Sequence, residues 1–294
     1  MTRLPPPEIS VLMTVFNREK YISEAIESIL ASSYKTYELI IVDDCSLDGS
    51  VEIARRYEAE DDRIKVYVND KNLGQFRNRN KAASYAQGKY LKYVDSDDLI
   101  YPHTLSIMAE AMSGYPQAGL GFCYTIGHSD KAFPYLIQPE DAYRQHYFGG
   151  GLLYTGPIGL IIKKEAFEAA GCFEDYGMPS DNHLSLKIAA VYPIVALPND
   201  LFFWRLHGDQ AFSENDTTKN IFDSYTYNKD ILSSSNCPLE AKERREAFKN
   251  NDKVLLRNTV KYLLKRRTGI NEIVSFSKKY QISYSEIFRN IIAN

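Results

Sequence analysis

The first 100 residues alternate between short apolar runs and amphipathic stretches, and this order limits the folds that the chain can adopt. Four runs have the length and composition of strands that are covered on both faces, and they are residues 9–16, 38–44, 64–70 and 90–95. The stretches between them predict three helices, the first with an apolar stripe from Ile22 to Leu30. This repeated order predicts an α/β fold with a mostly parallel central sheet flanked by helices.

Polar residues and glycines predict where some of these helices begin and end. Asn17 is expected to cap the first helix, and Gly88 is expected to close the third as a left-handed C-cap. Beyond Pro102 the periodicity weakens, but the segment "PSDNHLSLKIAA" predicts a helix with Ser180 or Asp181 near its N-cap.

Aspartates cluster where two of the predicted strands end. Asp43 and Asp44 follow the second strand, and Asp95, Asp97 and Asp98 follow the fourth. In parallel sheets, ligands bind outside the carboxyl ends of the strands. Close carboxylates are stabilised at neutral pH by a cation, and Mg²⁺ or Mn²⁺ binds carboxylates together with substrate phosphates. The pattern therefore favours a metal–nucleotide site, with a solvated acidic turn as the alternative that "DSDD" alone leaves open.

Two further segments carry groups that suit phosphate or base recognition. "NLGQFRNRN" offers a glycine for close approach and arginines for fork-like donation, although Arg77 and Arg79 could also lie on a solvated helix face. "WRLHGDQ" places His207 in a loop that also contains glycine and arginine, which suits a metal or phosphate contact, whereas a single histidine is more often structural.

Charge and cysteine usage indicate where such a protein would work. The net charge of −3 divides into +8 for residues 241–294 and −11 for the rest. A basic tail can contact an anionic membrane surface or an acidic partner, or dock on the acidic body. The four cysteines form no CxxC pair, and neither a signal peptide nor a membrane span is evident. We therefore expect a cytoplasmic protein, with peripheral membrane contact through its basic C-terminus.

Taken in order, the segments resemble the family 2 glycosyltransferases of the GT-A fold, which use nucleotide-diphospho-sugar donors. The likeness covers residues 8–213. It is carried by "SVLMTVFNREKYISEAIESIL", "ELIIVDDCSLDGS", "NLGQFRNRNKAASYAQGKYLKYVDSDD", "AAGCFED", "PSDNHLSLKIA" and "FWRLHGDQAFS". The resemblance implies a Rossmann-like GT-A catalytic domain over residues 1–213. Residues 214–294 then form a basic helical extension.

The resemblance also implies a role for each matching residue. Thr14, Phe16 and Asp44 would line the pocket for the donor's nucleotide, with Arg79 on the base or diphosphate and Asp95 on the ribose side. The metal, Mn²⁺ or Mg²⁺, would be held by Asp97, Asp98 and His207. Asp181 would be the catalytic base. The family's usual "ED" pair is "SD" here, so one acid is missing, and Asp181 could instead serve only as a helix cap.

The implied function is inverting transfer of a single sugar, and the absence of the "QxxRW" motif of processive synthases favours this over polymer extrusion. We expect a UDP-sugar donor, a glycan or lipid-linked acceptor as in cell-surface polysaccharide biosynthesis, and no nucleic-acid partner. Two alternatives stay open. One is a non-catalytic nucleotide-sugar-binding module, which the "SD" departure favours. The other is a sugar nucleotidyltransferase, which the lack of glycine in "TVFNREKYI" disfavours.

Overall fold

A computed structural model describes residues 6–124, 130–208, 217–265 and 269–285. The strands are β1 (Ile9–Val15), β2 (Tyr37–Asp43), β3 (Ile64–Val68), β4 (Tyr90–Tyr93), β5 (Leu99–Ile100), β6 (Leu120–Cys123), β7 (Tyr135–Ile137), β8 (Leu160–Lys163), β9 (Ile194–Leu197) and β10 (Phe202–Phe203). The helices are α1 (Ile22–Leu30), α2 (Ser50–Glu60), α3 (Gln75–Tyr85), α4 (Thr104–Gly114), α5 (Pro139–Phe148), α6 (Lys164–Ala169), α7 (Ser180–Ala189), α8 (Thr217–Ser233), α9 (Ala241–Lys265) and α10 (Ile270–Lys279), and a 3-10 turn covers Pro157–Gly159.

Eight strands form one large sheet in the order β3-β2-β1-β4-β8-β6-β9-β7. Strands β3, β2, β1 and β4 pair in parallel, as do β6 and β9, whereas β8 and β7 pair antiparallel to their neighbours. Strands β5 and β10 form a separate antiparallel pair. Because β1, β2 and β4 are parallel neighbours, their carboxyl ends meet at one edge of the sheet. The predicted mostly parallel sheet is confirmed.

Both faces of the sheet are covered, which explains why its central strands are apolar at successive positions. On one face Leu12 packs with Ile40 and Val42 against α3, α5, α6 and α7. On the other face Val11 and Met13 pack against α1, α2 and α4. The alternation of side chains along a strand thus places neighbouring β1 residues in two different cores.

The two predicted helix boundaries at Asn17 and Gly88 are wrong. Helix α1 begins only at Ile22, and Asn17, with φ +52°, instead accepts the Leu47 N–H at 2.8 Å. Helix α3 ends at Tyr85, its C-cap residue Ala86 is extended, and Gly88 does not adopt a left-handed conformation. A Cβ at Gly88 would lie 2.6 Å from the Ser10 nitrogen, so this glycine allows a close approach to β1.

The C-terminal helices pack on each other and on the sheet-containing part of the chain. Phe222 of α8, Leu255 of α9 and Ile273 of α10 share a small apolar cluster. Tyr227 and Leu232 of α8 belong to the same core as α3, α5, α6 and α7. The helical character predicted for this region is confirmed within its described residues, and the boundary at residue 213 stays a prediction. Within the described ranges, no helix combines the length and apolarity that a membrane crossing requires.

Candidate functional site

The carboxyl ends of β1, β2 and β4 open into a cavity of about 720 Å³. Eight of the nine site residues predicted from the sequence line it, namely Thr14, Phe16, Asp44, Arg79, Asp95, Asp97, Asp98 and Asp181. The ninth, His207, contacts Asp97 directly. The topology and the side-chain positions therefore bring together residues that are spread over about 190 positions of the chain.

Asp44 organises the loop that leads into α3. Its Oδ1 accepts the Asn69 Nδ2–H and the Leu73 N–H, each at 2.8 Å, and its Oδ2 accepts the Gly74 N–H at 2.9 Å. Gly74 has φ +83°, a conformation that glycine adopts without strain. Asp44 is only 3% exposed, and three donors occupy most of its acceptor capacity. Its carboxylate thus shapes this wall of the cavity in addition to facing it.

Arg79 is a buried cation at the centre of the site. It lies on α3, is 3% exposed, and donates from Nη2 to the Asp95 Oδ1 at 2.7 Å. Its Nε and Nη1 are buried and have no hydrogen-bond partner among the described residues. Arg79 lines the cavity, and its charge suits an anionic ligand, because a buried donor without a partner is costly. The alternative of a solvated helix face is wrong for Arg79.

The three acids of "DSDD" have different surroundings. Asp97 Oδ2 accepts the Arg18 Nε–H at 2.9 Å and lies 3.1 Å from the His207 Nε2. Asp98 is 3% exposed, and its Oδ1 accepts the Arg205 N–H at 2.9 Å. Burial, assisted by Asp95 and Asp97 and opposed by Arg205, raises the pKa of Asp98 to about 7. The solvated acidic turn left open by the sequence is therefore wrong.

The residues near Asp97 supply a donor set that fits a divalent cation bound together with a diphosphate. The Asp97 Oδ2 and the His207 Nε2 lie close together. In the described parts of the chain, no group of three Asp, Glu, His or Cys side chains is arranged to hold a metal. Mg²⁺ at nucleotide sites commonly takes only one or two protein ligands and completes its shell with phosphate and water. Asp97 and His207 fit this limited role, and Asp98 as a third ligand stays a prediction.

Asp181 presents a carboxylate oxygen without a hydrogen-bond partner. It is the second residue of α7 and lines the cavity, and among the described residues nothing bonds its buried Oδ1. Burial raises the pKa of Asp181 to about 6, with Arg79 lowering it and Asp95 raising it. The N-cap of α7 is Pro179 and Asp181 is its second helical residue, so the interpretation of Asp181 as the N-cap is wrong.

Ser180, which stands in place of the Glu of the "ED" pair, has a structural role. Its side chain is fully buried, donates to the Gly177 carbonyl at 2.7 Å, and accepts the Tyr176 N–H at 2.9 Å. These bonds fix the turn before α7 and hence the direction in which the helix presents Asp181.

Comparison with known proteins identifies the family. The profile of the family described as "Glycosyl transferase family 2" matches residues 10–170, more than half of the chain. The chain belongs to glycosyl transferase family 2.

Curated relatives agree with this assignment over a shorter stretch. The chain is 44% identical over 100 residues to the "Putative glycosyltransferase EpsE" of Bacillus subtilis. It is also 44% identical over 92 residues to the "Putative teichuronic acid biosynthesis glycosyltransferase TuaG" of the same organism. These matches cover 34% and 31% of this family 2 chain and 36% of each relative.

Solved structures share the fold across nearly the whole chain. S. aureus TarS 1-349 superposes with a TM-score of 0.69 at 18% identity, covering 97% of this chain and 81% of TarS. "Mannosyltransferase PcManGT from Pyrobaculum calidifontis in complex with GDP-Man and Mn2+" superposes with a TM-score of 0.61 at 16% identity, covering 99% and 87%. The predicted GT-A type fold is confirmed.

Several residues at this family 2 site were not predicted from the sequence. Arg18 follows β1, whose carboxyl end lies at the site, so its position and charge were a usable signal. Arg205 bonds both Asp98 and the Asp97 carbonyl. It is the arginine of the "WRLHGDQ" segment, in which only His207 was given a role at the site. Tyr154 and Trp204 also line the cavity. Tyr154 lies in a stretch without periodicity, which gave no signal.

Proposed function

We propose that the protein is an inverting glycosyltransferase that moves one sugar from a nucleotide-diphospho-sugar to a hydroxyl of a glycan or lipid-linked acceptor. The observation that carries the proposal is the position of Asp181, which lines the same cavity as Arg79 and Asp97 and whose buried Oδ1 has no hydrogen-bond partner among the described residues. TarS 1-349 in complex with UDP-GlcNAc, at 19% identity and a TM-score of 0.67, supports a UDP-sugar donor. TuaG supports a place in cell-surface polysaccharide biosynthesis.

Asp181 is assigned as the general base. The acceptor oxygen attacks the anomeric carbon, its proton passes to the Asp181 carboxylate, and the bond from that carbon to the diphosphate oxygen breaks with its electron pair leaving on the diphosphate. A base with a pKa of about 6 is mostly ionised at neutral pH and still accepts a proton readily. With one base opposite the leaving group, a single displacement inverts the anomeric centre.

The donor side is assigned to the residues that precede α7. Thr14, Phe16 and Asp44 would contact the nucleotide, and Asp95 would contact the ribose. Arg79, which lines the cavity, would place its positive charge beside the diphosphate. A divalent cation, Mn²⁺ or Mg²⁺, would stabilise the charge on the leaving diphosphate. Asp97 and His207 would hold it with assistance from Asp98, and the Mn²⁺ in the PcManGT complex supports this proposal.

We assign residues 1–213 to the catalytic domain and residues 214–294 to an extension that docks a cytoplasmic enzyme on the inner membrane face. The described surface of α9 supports this, because Lys253, Arg257 and Lys261 are exposed beside Val260 and Leu264, which are 53% and 76% exposed. Basic and apolar groups on one helix face suit anionic lipid surfaces. Co-sedimentation with anionic vesicles should fall when Lys253, Arg257 and Lys261 are changed to Gln, and unchanged binding would contradict the docking role.

The decisive experiment measures sugar release from a panel of UDP- and GDP-sugars with and without Mn²⁺. We expect metal-dependent turnover of one donor. Asp97→Ala should abolish metal-dependent donor binding, whereas Asp181→Asn should keep binding and lose transfer. A wild-type protein that binds UDP with Mn²⁺ but never turns over any donor would favour the binding-module alternative. Transfer of the nucleotidyl group to a sugar phosphate would instead favour a nucleotidyltransferase.

A further inference from the structure

The turn over residues 176–180 leads into α7 and presents Asp181, and helix α8 packs directly against this turn. Gly177, within the turn, has φ +67°. A Cβ at Gly177 would lie 2.5 Å from both the Asp223 Oδ2 and the Lys219 Nζ, so the backbone of the turn lies against these two α8 side chains. The two side chains form an ion pair at 2.7 Å, in which the Asp223 side chain is 6% exposed. The turn therefore rests on a charged pair rather than on apolar side chains.

Tyr176 joins the same turn to α8 in a second way. Its hydroxyl donates to the Asp230 Oδ2 at 2.5 Å. Its ring centroid lies 4.3 Å from that of His183 on α7, and His183 lies 6.3 Å, edge to face, from the buried ring of Tyr227 on α8. The backbone N–H of Tyr176 also donates to the Ser180 hydroxyl at 2.9 Å. Tyr176 therefore connects the turn, the start of α7 and the side of α8.

The α8 side chains in these contacts form one polar stripe. They are spaced by four, four and three residues, which places them on one face of the helix, and they are Lys219, Asp223, Tyr227 and Asp230. A buried ion pair adds little net stability compared with apolar side chains of similar volume, but a satisfied polar network fixes the geometry in which two elements meet. The stripe therefore suits the orientation of the turn better than it suits packing alone.

We propose that α8 is a positioning element of the catalytic site, and that its polar stripe sets the direction in which the turn presents the Asp181 carboxylate. The inference rests on the proposed function, in which Asp181 takes the proton of the attacking oxygen. That transfer requires hydrogen-bonding distance between the two groups, so a small displacement of the start of α7 slows it. Among the described residues, no hydrogen bond holds the buried Asp181 Oδ1, so its position depends on the backbone that carries it. Helix α8 then serves the catalytic domain although it lies beyond residue 213.

The test breaks the bond between Tyr176 and Asp230 from each side. It measures kcat and KM for hydrolysis of the UDP- or GDP-sugar that the wild type turns over, and the Kd of UDP with Mn²⁺. We expect Tyr176→Phe and Asp230→Ala each to lower kcat about tenfold, while the donor KM and the Kd of UDP change less than about threefold. Asp230→Asn should keep most of the activity, because an amide oxygen also accepts the Tyr176 O–H. Combining Tyr176→Phe with Asp230→Ala should lower kcat no further than either change alone.

Tyr225→Phe is the matched control. Tyr225 also lies on α8 and also donates to an aspartate, the Asp252 Oδ1 at 3.0 Å. This bond joins α8 to α9 and not to the turn before α7, and the variant loses the same chemical group as Tyr176→Phe. Its kcat should stay within about twofold of the wild-type value, whatever the change in its urea midpoint.

The outcomes separate this inference from the proposed function. If the wild type turns over no nucleotide sugar, the proposed function fails and the inference fails with it. If the wild type turns over a donor but Tyr176→Phe and Tyr225→Phe have equal kcat values, the inference alone is overturned. A loss of kcat in Asp230→Asn as large as in Asp230→Ala would also overturn it. So would a parallel loss of UDP affinity in Tyr176→Phe, because that result would indicate general disruption of the site.

Discussion

Replacing Asp181 by asparagine is expected to stabilise the folded protein at neutral pH while removing transfer activity. The pKa of Asp181 rises from 3.8 to about 6, chiefly through burial. Each pKa unit corresponds to about 1.4 kcal/mol, so the ionised carboxylate costs the folded state up to about 3 kcal/mol near pH 7.5. Asparagine has nearly the same shape and carries no charge. Asp181→Asn should therefore raise the free energy of unfolding by most of this amount.

The stability contribution of Asp181 should change with pH in a definite direction. Because the folded pKa lies above the unfolded one, stability from this group is fully present below about pH 3.8 and is lost as the pH rises through about 6. The wild-type protein should therefore approach the stability of Asp181→Asn in acid. The difference between them should shrink from about 3 kcal/mol near pH 7.5 to below about 1 kcal/mol near pH 4.

The measurement is urea-induced unfolding of both proteins across this pH range, beside transfer assays at neutral pH. Asp141→Asn is the matched control, because Asp141 also lies in the first turn of a helix but its side chain is 60% exposed. Replacing the Asp141 carboxylate by an amide should change the free energy of unfolding by less than about 0.5 kcal/mol at any pH. Equal stability of Asp181→Asn and wild type at neutral pH, or a difference that does not shrink in acid, would refute the argument that this base is costly to bury.

Three further predictions concern buried polar groups. Asp44→Ala should lower the free energy of unfolding by about 1–3 kcal/mol in urea, because the Leu73 N–H loses its acceptor and the Asn69 and Gly74 N–H groups each lose one of two; an unchanged midpoint would contradict this role. Burial lowers the pKa of Lys92 from 10.5 to about 8, so the wild type should gain stability relative to Lys92→Met as the pH rises from about 8 to 10. A difference in the free energy of unfolding that does not change with pH would contradict this. Ser180→Glu restores the family's acidic pair, but it should lower the free energy of unfolding by more than about 2 kcal/mol and not increase transfer activity, because Ser180 is fully buried. A stable and more active variant would refute this.

The first 100 residues were predictable because their strands are buried on both faces and leave a continuous apolar pattern. The secondary structure of the stretch 128–157 was not predictable, although this stretch contains β7 and α5. Strand β7 has only three residues, and α5 buries only Ala142, Tyr143 and His146. A helix with so few buried positions shows little periodicity, so its sequence resembles that of a polar loop.

The location of the site was predictable for a different reason. Parallel strands bring their carboxyl ends to one edge, so Asp44 and Asp95 could be placed together from the strand order alone. The ion pair of Arg18 with Asp97 and the bond from Arg205 to Asp98 join residues 79 and 107 positions apart. Neither contact follows from a local pattern, because each depends on how a loop folds back across the sheet.

The acidic run "DSDD" is an example of like charges that are neutralised one at a time. Asp95 pairs with Arg79, Asp97 with Arg18 and His207, and Asp98 accepts a backbone N–H from Arg205. The fold alone thus accounts for the run, and mutual repulsion does not by itself require a metal. It also follows that a cation bound at Asp97 must compete with the Arg18 guanidinium for the same Oδ2. We therefore expect the metal affinity of this site to depend on whether the Arg18 side chain leaves Asp97 and donates its N–H groups to the bound diphosphate.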